Sequence, residues 1–358
     1  MSRGRRWIGR VALSLVTLGL GLAAAEGSYR WVKASEDAPD GGDDDWRRRY
    51  DRMNETIYRR SEVPGLIYEP APGACVAMEY GQACFDAYGM RDDRPHAIEP
   101  APGRTRVAIA GDSIVWSEFL PVHASLPRRV QQALGDEYEV LPFGVSGYDT
   151  AQEALWYEAR IASFRPDVLV VVWCMNDMLT MSGPFEEWAT EAEHARKDDQ
   201  ERYLDRVAPI RRETIDAIVA RHEEQATLRI AARAWGIVER WSFDRNYDDQ
   251  YLVMARSEER RRPSLEAIGR LGAAGPAKRL FVISPVLESF RDYHWQPIHD
   301  LVREAAERAG FVVLDPLDAW RGVHDESDMR VSGDNLHYDE SGNRIFGSEI
   351  AEAIRRLP

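Results

Sequence analysis

"VAIAGDSIVWSE", residues 107–118, sets a short apolar run, Val107-Ala108-Ile109-Ala110, against Gly111-Asp112-Ser113 and then resumes with an apolar, helix-like pattern. A strand that stops at a glycine and restarts as a helix reads as the first half of a β-α-β unit. In that reading Gly111 allows a sharp turn. Asp112 accepts hydrogen bonds from nearby backbone N–H groups. Ser113 stands at a strand's carboxyl end and a helix N-terminus, where the helix dipole favours negative charge. Such a serine is either a helix N-cap or a nucleophile. A nucleophilic alcohol needs a base within hydrogen-bond reach, and the base needs an orienting acid.

The pattern continues outward from this stretch. Further apolar runs are Arg106–Ala110, Glu139–Phe143, Val168–Trp173, Arg279–Ser284 and Phe311–Asp315. Helical stretches separate them: Leu126–Leu134, Gln152–Phe164 and Ile298–Ala309, with an amphipathic helix closing the chain. Near-continuous apolar strands alternating with helices predict an α/β fold, a parallel sheet covered on both faces. Residues 178–277 break the rhythm with about 100 charged, helix-prone residues, too many for an ordinary connection, and read as a helical insertion. The catalytic domain then spans 104–358. Residues 56–103, rich in Pro and Gly, read as an irregular lead-in, and 32–55 as a charged linker.

The N-terminus narrows the compartment. "MSRGRRWIGR" carries four arginines and no acid, and fifteen uncharged residues follow. Residues 1–31 therefore read as a signal anchor that leaves the domain outside the cytoplasmic membrane. Ala23-Ala24-Ala25 leaves a cleaved signal peptide, and hence secretion, as the alternative. In an exported chain Cys75 and Cys84 form a candidate disulfide, with two free thiols as the alternative. Cys174 lies in an apolar run and reads as a small core residue. The net charge of −14 excludes a nucleic-acid partner, because phosphate backbones require a basic face. No metal-ligand spacing, Walker loop or dinucleotide fingerprint occurs, so no metal or cofactor is expected.

Three further stretches fall at predicted strand ends, where ligands bind in open α/β sheets. "FGVSGYDTAQE" places Gly147 in a tight turn, where a backbone N–H can approach a ligand. "VVVWCMNDM" places Asn176 at the end of the third strand, with a side-chain amide to donate. "SGDNLHYDESGN" supplies Asp334 and His337 just before the last helix. Each alone has a plainer reading as a turn, a cap or a surface histidine. Their common placement makes Ser113, His337 and Asp334 a candidate triad, with Ser113 N–H, Gly147 N–H and Asn176 as oxyanion donors. Trp116, Trp173 and Trp295 could form a sugar-stacking surface, but Trp173 reads rather as a core residue and Trp116, on the helix after Ser113, fits either role.

On these blocks the chain resembles the SGNH hydrolases, also called the GDSL family. The resemblance implies a flavodoxin-like three-layer α/β/α fold with a five-stranded parallel sheet. It assigns Ser113 as nucleophile, Gly147 and Asn176 as oxyanion donors, and Asp334 and His337 as acid and base. "YGMRDD" resembles the lead-in of membrane-anchored bacterial members. Three positions depart from the usual blocks: Cys174 replaces a glycine, Pro142 an asparagine and Tyr338 a proline. The expected activity is a serine esterase acting on a polysaccharide O-acyl group or a lipid ester. An O-acyltransferase, or a non-catalytic scaffold that binds envelope polymers, are the other readings.

Overall fold

The computed structural model describes residues 52–178, 185, 188, 255 and 258–358 apart from 333. The anchor segment, the linker up to residue 51 and most of the 178–277 stretch lie outside the described residues.

The stretch read as an irregular lead-in holds two antiparallel strand pairs. Strands β1 (Tyr58–Arg60) and β2 (Tyr68–Pro70) pair with each other, as do β3 (Cys75–Met78) and β4 (Gly81–Cys84). Cys75 and Cys84 face one another across the second pair and are disulfide-bonded. These hairpins escape a sequence reading because strands of three or four residues are too short to show a period. They pack inward: Tyr58, Tyr68, Phe85 and Met90 are buried in the same core as the main sheet.

The core of the fold is one five-stranded parallel sheet. Strand β5 (Thr105–Gly111) leads into the single-turn helix α1 (Ser113–Trp116) and then helix α2 (Leu126–Leu134). Strand β6 (Tyr138–Gly144), helix α3 (Thr150–Ala159) and strand β7 (Val168–Trp173) follow. The chain continues through helix α4 (Glu258–Ala274), strand β8 (Lys278–Ile283), helix α5 (Gln296–Arg308) and strand β9 (Val312–Leu314). It closes with the short helix α6 (Leu317–Trp320) and helix α7 (Glu340–Arg355). The strand order is β6-β5-β7-β8-β9, the doubly wound flavodoxin-like order. Helix α2 packs against α7, while α4 packs against both α3 and α5, which gives a helical layer on each face of the sheet.

The burial pattern explains the continuous apolar strands. Every residue of β7, Val-Leu-Val-Val-Val-Trp, is buried, as a central parallel strand requires. Pro142 sits in β6, an edge strand, where its missing N–H leaves no central ladder unsatisfied. Arg106 is fully buried within β5. It pairs with Glu139 and donates to the carbonyls of Ala97, Ile98, Glu99 and Phe164, tying the lead-in to the sheet.

Two element boundaries need correction. The helix expected over Gln152–Phe164 starts at Thr150, where Asp149 and Gln152 form a capping box, and ends at Ala159; a 3₁₀ turn, Ile161–Phe164, follows. The stretch read as insertion up to residue 277 ends in α4, which is the crossover helix between β7 and β8 and belongs to the sheet's own outer layer. Its run of arginines and glutamates, Glu258 to Arg262, hides that role in the sequence.

Candidate active site

Strand order reverses at β5, so the crevice at its carboxyl end is where this topology places a ligand. Ser113 opens α1 there, only 7% exposed. Asp112 is the N-cap, its Oδ1 accepting from Ile114 N–H at 2.9 Å. Gly111 does not make a left-handed turn. It is the last residue of β5, and a Cβ on it would lie 2.3 Å from Val115 Cγ2 and 3.0 Å from the Val172 carbonyl. Its lack of a side chain lets α1 fold back tightly onto the sheet.

His337 reaches Ser113 from a loop held on several sides. Val331 N–H donates to the His337 carbonyl, Asp334 N–H to the Val331 carbonyl, and Leu287 N–H to the Asn335 carbonyl. Tyr338, where proline was the expectation, is buried, stacks on Phe346 and shares a 2.8 Å hydrogen bond with Ser284. That aromatic anchor fixes the end of the loop. His337 Nε2 lies 2.8 Å from Ser113 Oγ, and His337 Nδ1 lies 2.7 Å from Asp334 Oδ2. The other Asp334 oxygen accepts from the N–H groups of Leu336 and His337 at 2.7 and 2.9 Å.

This arrangement tunes both titrating groups. Burial pushes Asp334 up, but the His337 hydrogen bond and charge, with two backbone N–H donors, hold its carboxyl down at about 2. Burial alone would lower the His337 imidazole. The hydrogen bond and charge of Asp334, with Asp112 and Glu118 nearby, outweigh burial and raise it above the ordinary 6.5. A base must be neutral to take a proton, so activity is lost as pH falls through the raised value. The acid limb of kcat/KM is therefore expected above pH 6.5, at the free-enzyme imidazole value. A pH profile checks this; a limb below 6.5 contradicts the Asp334–His337 coupling.

The other expected residues lie at neighbouring strand ends. Gly147 follows β6 with φ of +80°, and its N–H has no acceptor among the described residues. Asn176 follows β7, but its amide is not wholly free. Its Nδ2 donates to Asp112 Oδ2 at 2.9 Å, which leaves one of the two N–H bonds for a ligand. The Cys174 sulfur contacts Asn176 Oδ1 and lies 3.3 Å from Asp112 Oδ2. Burial, with Asp112 and Asp177 close by, pushes the Cys174 thiol well up, so it stays protonated and can donate to Asp112.

The sugar-stacking surface does not form, and the core-packing reading of Trp173 holds. Trp116, Trp173 and Trp295 are all buried. Trp116 instead stacks under the Arg91 guanidinium and against Phe85. Arg91, from "YGMRDD", also donates to the carbonyls of Trp116, Ser117 and Leu120 and to Tyr80 Oη, which fixes the segment after α1.

Three residues near the site have no counterpart among the sequence expectations. Phe119 is 40% exposed and stands edge-on to His337, with ring centres 5.0 Å apart. Glu118 is buried, and its Oε2 accepts from Ser146 Oγ at 2.8 Å; burial pushes its carboxyl up. Tyr68, in the lead-in, donates to the Ser146 carbonyl at 2.7 Å. No sequence signal singles out Tyr68. Glu118 could have been flagged as an acid inside an otherwise apolar helical pattern. A small cavity of about 10 Å³ lies beside the nucleophile, lined in part by Ser113, Glu118, Phe119 and His337.

Over residues 109–345 the chain matches the GDSL-like lipase/acylhydrolase family. No curated protein matches it. Among solved structures, it is similar to LAE5, an alpha/beta hydrolase from the metagenome of Lake Arreo, Spain. Identity is 14%, over 71% of this chain and 96% of that one, with a TM-score of 0.40. It is also similar to the lipase/acylhydrolase from Enterococcus faecalis, at 17% identity over 71% and 97% of the two chains with a TM-score of 0.39. A third is the acetyl xylan esterase AlAXEase, at 14% identity over 69% and 98% with a TM-score of 0.38.

Proposed function

Because the chain belongs to the GDSL-like lipase/acylhydrolase family and is an ester-cleaving hydrolase, we propose that Ser113 is its nucleophile and that its substrate is a short acyl ester on a cell-surface polysaccharide. The observation that carries this reading is the continuous relay Ser113–His337–Asp334, with hydrogen bonds of 2.8 and 2.7 Å.

His337 Nε2 takes the Ser113 proton as Oγ attacks the ester carbonyl. Asp334 holds Nδ1–H, which fixes the tautomer and stabilises the imidazolium that forms. The carbonyl oxygen becomes an oxyanion and is met by Ser113 N–H, Gly147 N–H and the remaining Asn176 N–H. Collapse expels the alcohol, which takes the proton from His337. Water, activated by the same imidazole, then attacks the acyl-serine and releases the acid and Ser113.

The small cavity supports a short acyl group. Beside Ser113 the described residues leave a space of about 10 Å³, about one water molecule, which suits an acetyl methyl. The Cys75–Cys84 disulfide and the basic-then-apolar N-terminus support action outside the cytoplasmic membrane. Among the described residues no helix is long and apolar enough to cross a membrane, and the candidate anchor lies outside them.

A series of p-nitrophenyl esters tests the substrate class. Acetate is expected to exceed octanoate in kcat/KM by at least about tenfold, since forcing extra methylenes into a packed site costs about 1–3 kcal/mol. A flat or rising profile contradicts the short-acyl reading. Acetate release from an O-acetylated polysaccharide then tests the acceptor.

A further inference from the structure

We propose that Tyr68, from the N-terminal lead-in, is a positioning residue for the oxyanion site: its hydroxyl holds the Ser146–Gly147 peptide so that the Gly147 N–H faces the reacting carbonyl. This rests on the reading of Gly147 as an oxyanion donor given above.

The argument starts from turn geometry. Tyr148 N–H donates to the Val145 carbonyl at 3.1 Å, so Val145–Tyr148 is a hydrogen-bonded β-turn. Gly147 occupies its third position at φ +80°, while Ser146 keeps a negative φ. That combination is a type II turn. Type I and type II turns differ by a flip of the central peptide, here Ser146–Gly147. Glycine adopts both forms at little cost, so residue 147 does not choose between them.

The two forms have opposite consequences for catalysis. In a planar trans peptide the C=O and N–H point in opposite directions. In the observed form the Ser146 carbonyl points away from the site, into the lead-in. In the flipped form that carbonyl would point where the Gly147 N–H now points, and a developing oxyanion would meet an acceptor instead of a donor. Something outside the turn has to select the form.

Tyr68 is placed to do so. It is fully buried in β2, and its hydroxyl donates to the Ser146 carbonyl at 2.7 Å. Flipping the peptide would break this buried hydrogen bond, a cost that favours the observed form. Two further hydrogen bonds fix the neighbouring atoms of Ser146. Its N–H donates to Tyr58 Oη at 3.1 Å, and its Oγ donates to Glu118 at 2.8 Å. Neither touches the peptide that flips. The lead-in is thus part of the catalytic apparatus through one hydroxyl.

The test is Tyr68→Phe in the full chain, with Tyr148→Phe beside it. Tyr148 donates to the backbone carbonyl of Tyr68 and not to Ser146, so it removes a comparable buried hydrogen bond without freeing the peptide. Tyr68→Phe is expected to lower kcat on p-nitrophenyl acetate by roughly 10–10²-fold, approaching the loss of one oxyanion donor, with KM within about threefold. Affinity for a boronic acid that forms a tetrahedral serine adduct should fall by the same factor as kcat/KM. Tyr148→Phe should keep kcat within about threefold. A folded Tyr68→Phe with wild-type kcat, or equal losses in both variants, overturns the proposal. Should Tyr68→Phe fail to fold, Gly147→Ala is the second test, since an L-residue resists φ +80° and takes the flipped form. Wild-type kcat in that variant, with its crystal structure showing the flipped turn, also overturns the proposal. If Ser113→Ala retains activity, the reading of the site fails first; if activity depends on Ser113 while Tyr68→Phe is normal, only this inference fails.

Discussion

Ser113→Ala is expected to lower turnover of p-nitrophenyl acetate by roughly 10⁶-fold, the scale seen when a serine hydrolase loses its nucleophile. The alanine variant keeps the strand end, the helix N-terminus and the Asp112 cap, because the cap bond runs from Asp112 Oδ1 to Ile114 N–H and does not involve the Ser113 side chain. The substitution removes the 2.8 Å hydrogen bond between Ser113 Oγ and His337 Nε2. A single hydrogen bond of that kind contributes about 0.5–1.5 kcal/mol to stability, so the variant should fold normally. Abolished activity with a retained melting transition is the expected pair of results. Activity within tenfold of wild type would mean that the ester is cleaved without an acyl-serine.

Asp334→Asn is expected to cost about 10⁴-fold in kcat, for a reason that lies in the tautomer. Asp334 accepts from three N–H groups: Leu336 and His337 backbone on one oxygen, and His337 Nδ1 on the other. Asparagine can keep its carbonyl oxygen on the backbone pair, which preserves the loop. Its amide then presents N–H to Nδ1 and turns that nitrogen into an acceptor. The ring proton moves to Nε2, and the face toward Ser113 can no longer take a proton. The same change removes the charge that raises the imidazole, so the acid limb of residual activity should shift to lower pH. A pH profile of the variant separates this from simple misfolding, because a misplaced loop would lower kcat without moving the limb down.

The architecture was legible where physics repeats. Five apolar runs with helices between them predict the parallel sheet, and the observed strands differ from those runs by at most one residue at each end. The placement of Ser113, Gly147 and Asn176 just past strand ends follows from the same period, because chain order and strand order together fix which turns share one edge; His337 instead lies in the loop before α7, well past β9, where the period does not place it. The hydrogen bonds between them carry no periodic signal. The Asn176–Asp112 bond joins residues 64 apart, and the Tyr68–Ser146 bond joins residues 78 apart. Nothing local in "LIYEP" distinguishes the Tyr68 hydroxyl from any other core tyrosine. The tryptophans show the limit of reading side-chain chemistry without burial. Their chemistry suits sugar stacking, but each falls on an inward-facing position, and burial decides the outcome. The lead-in misled because its order comes from short hairpins, a disulfide and the buried Arg106 and Arg91, none of which depends on a long hydrophobic pattern.

The most direct test of the central claim is to treat the full chain with a sulfonyl fluoride and map the adduct by peptide mass spectrometry. Attack by the serine oxygen on sulfur expels fluoride and leaves a stable sulfonyl ester. One adduct per chain on Ser113, formed in step with loss of esterase activity and absent in Ser113→Ala, is the predicted result. Complete inactivation with the label on another residue, or full activity in a chain labelled at Ser113, would contradict the account.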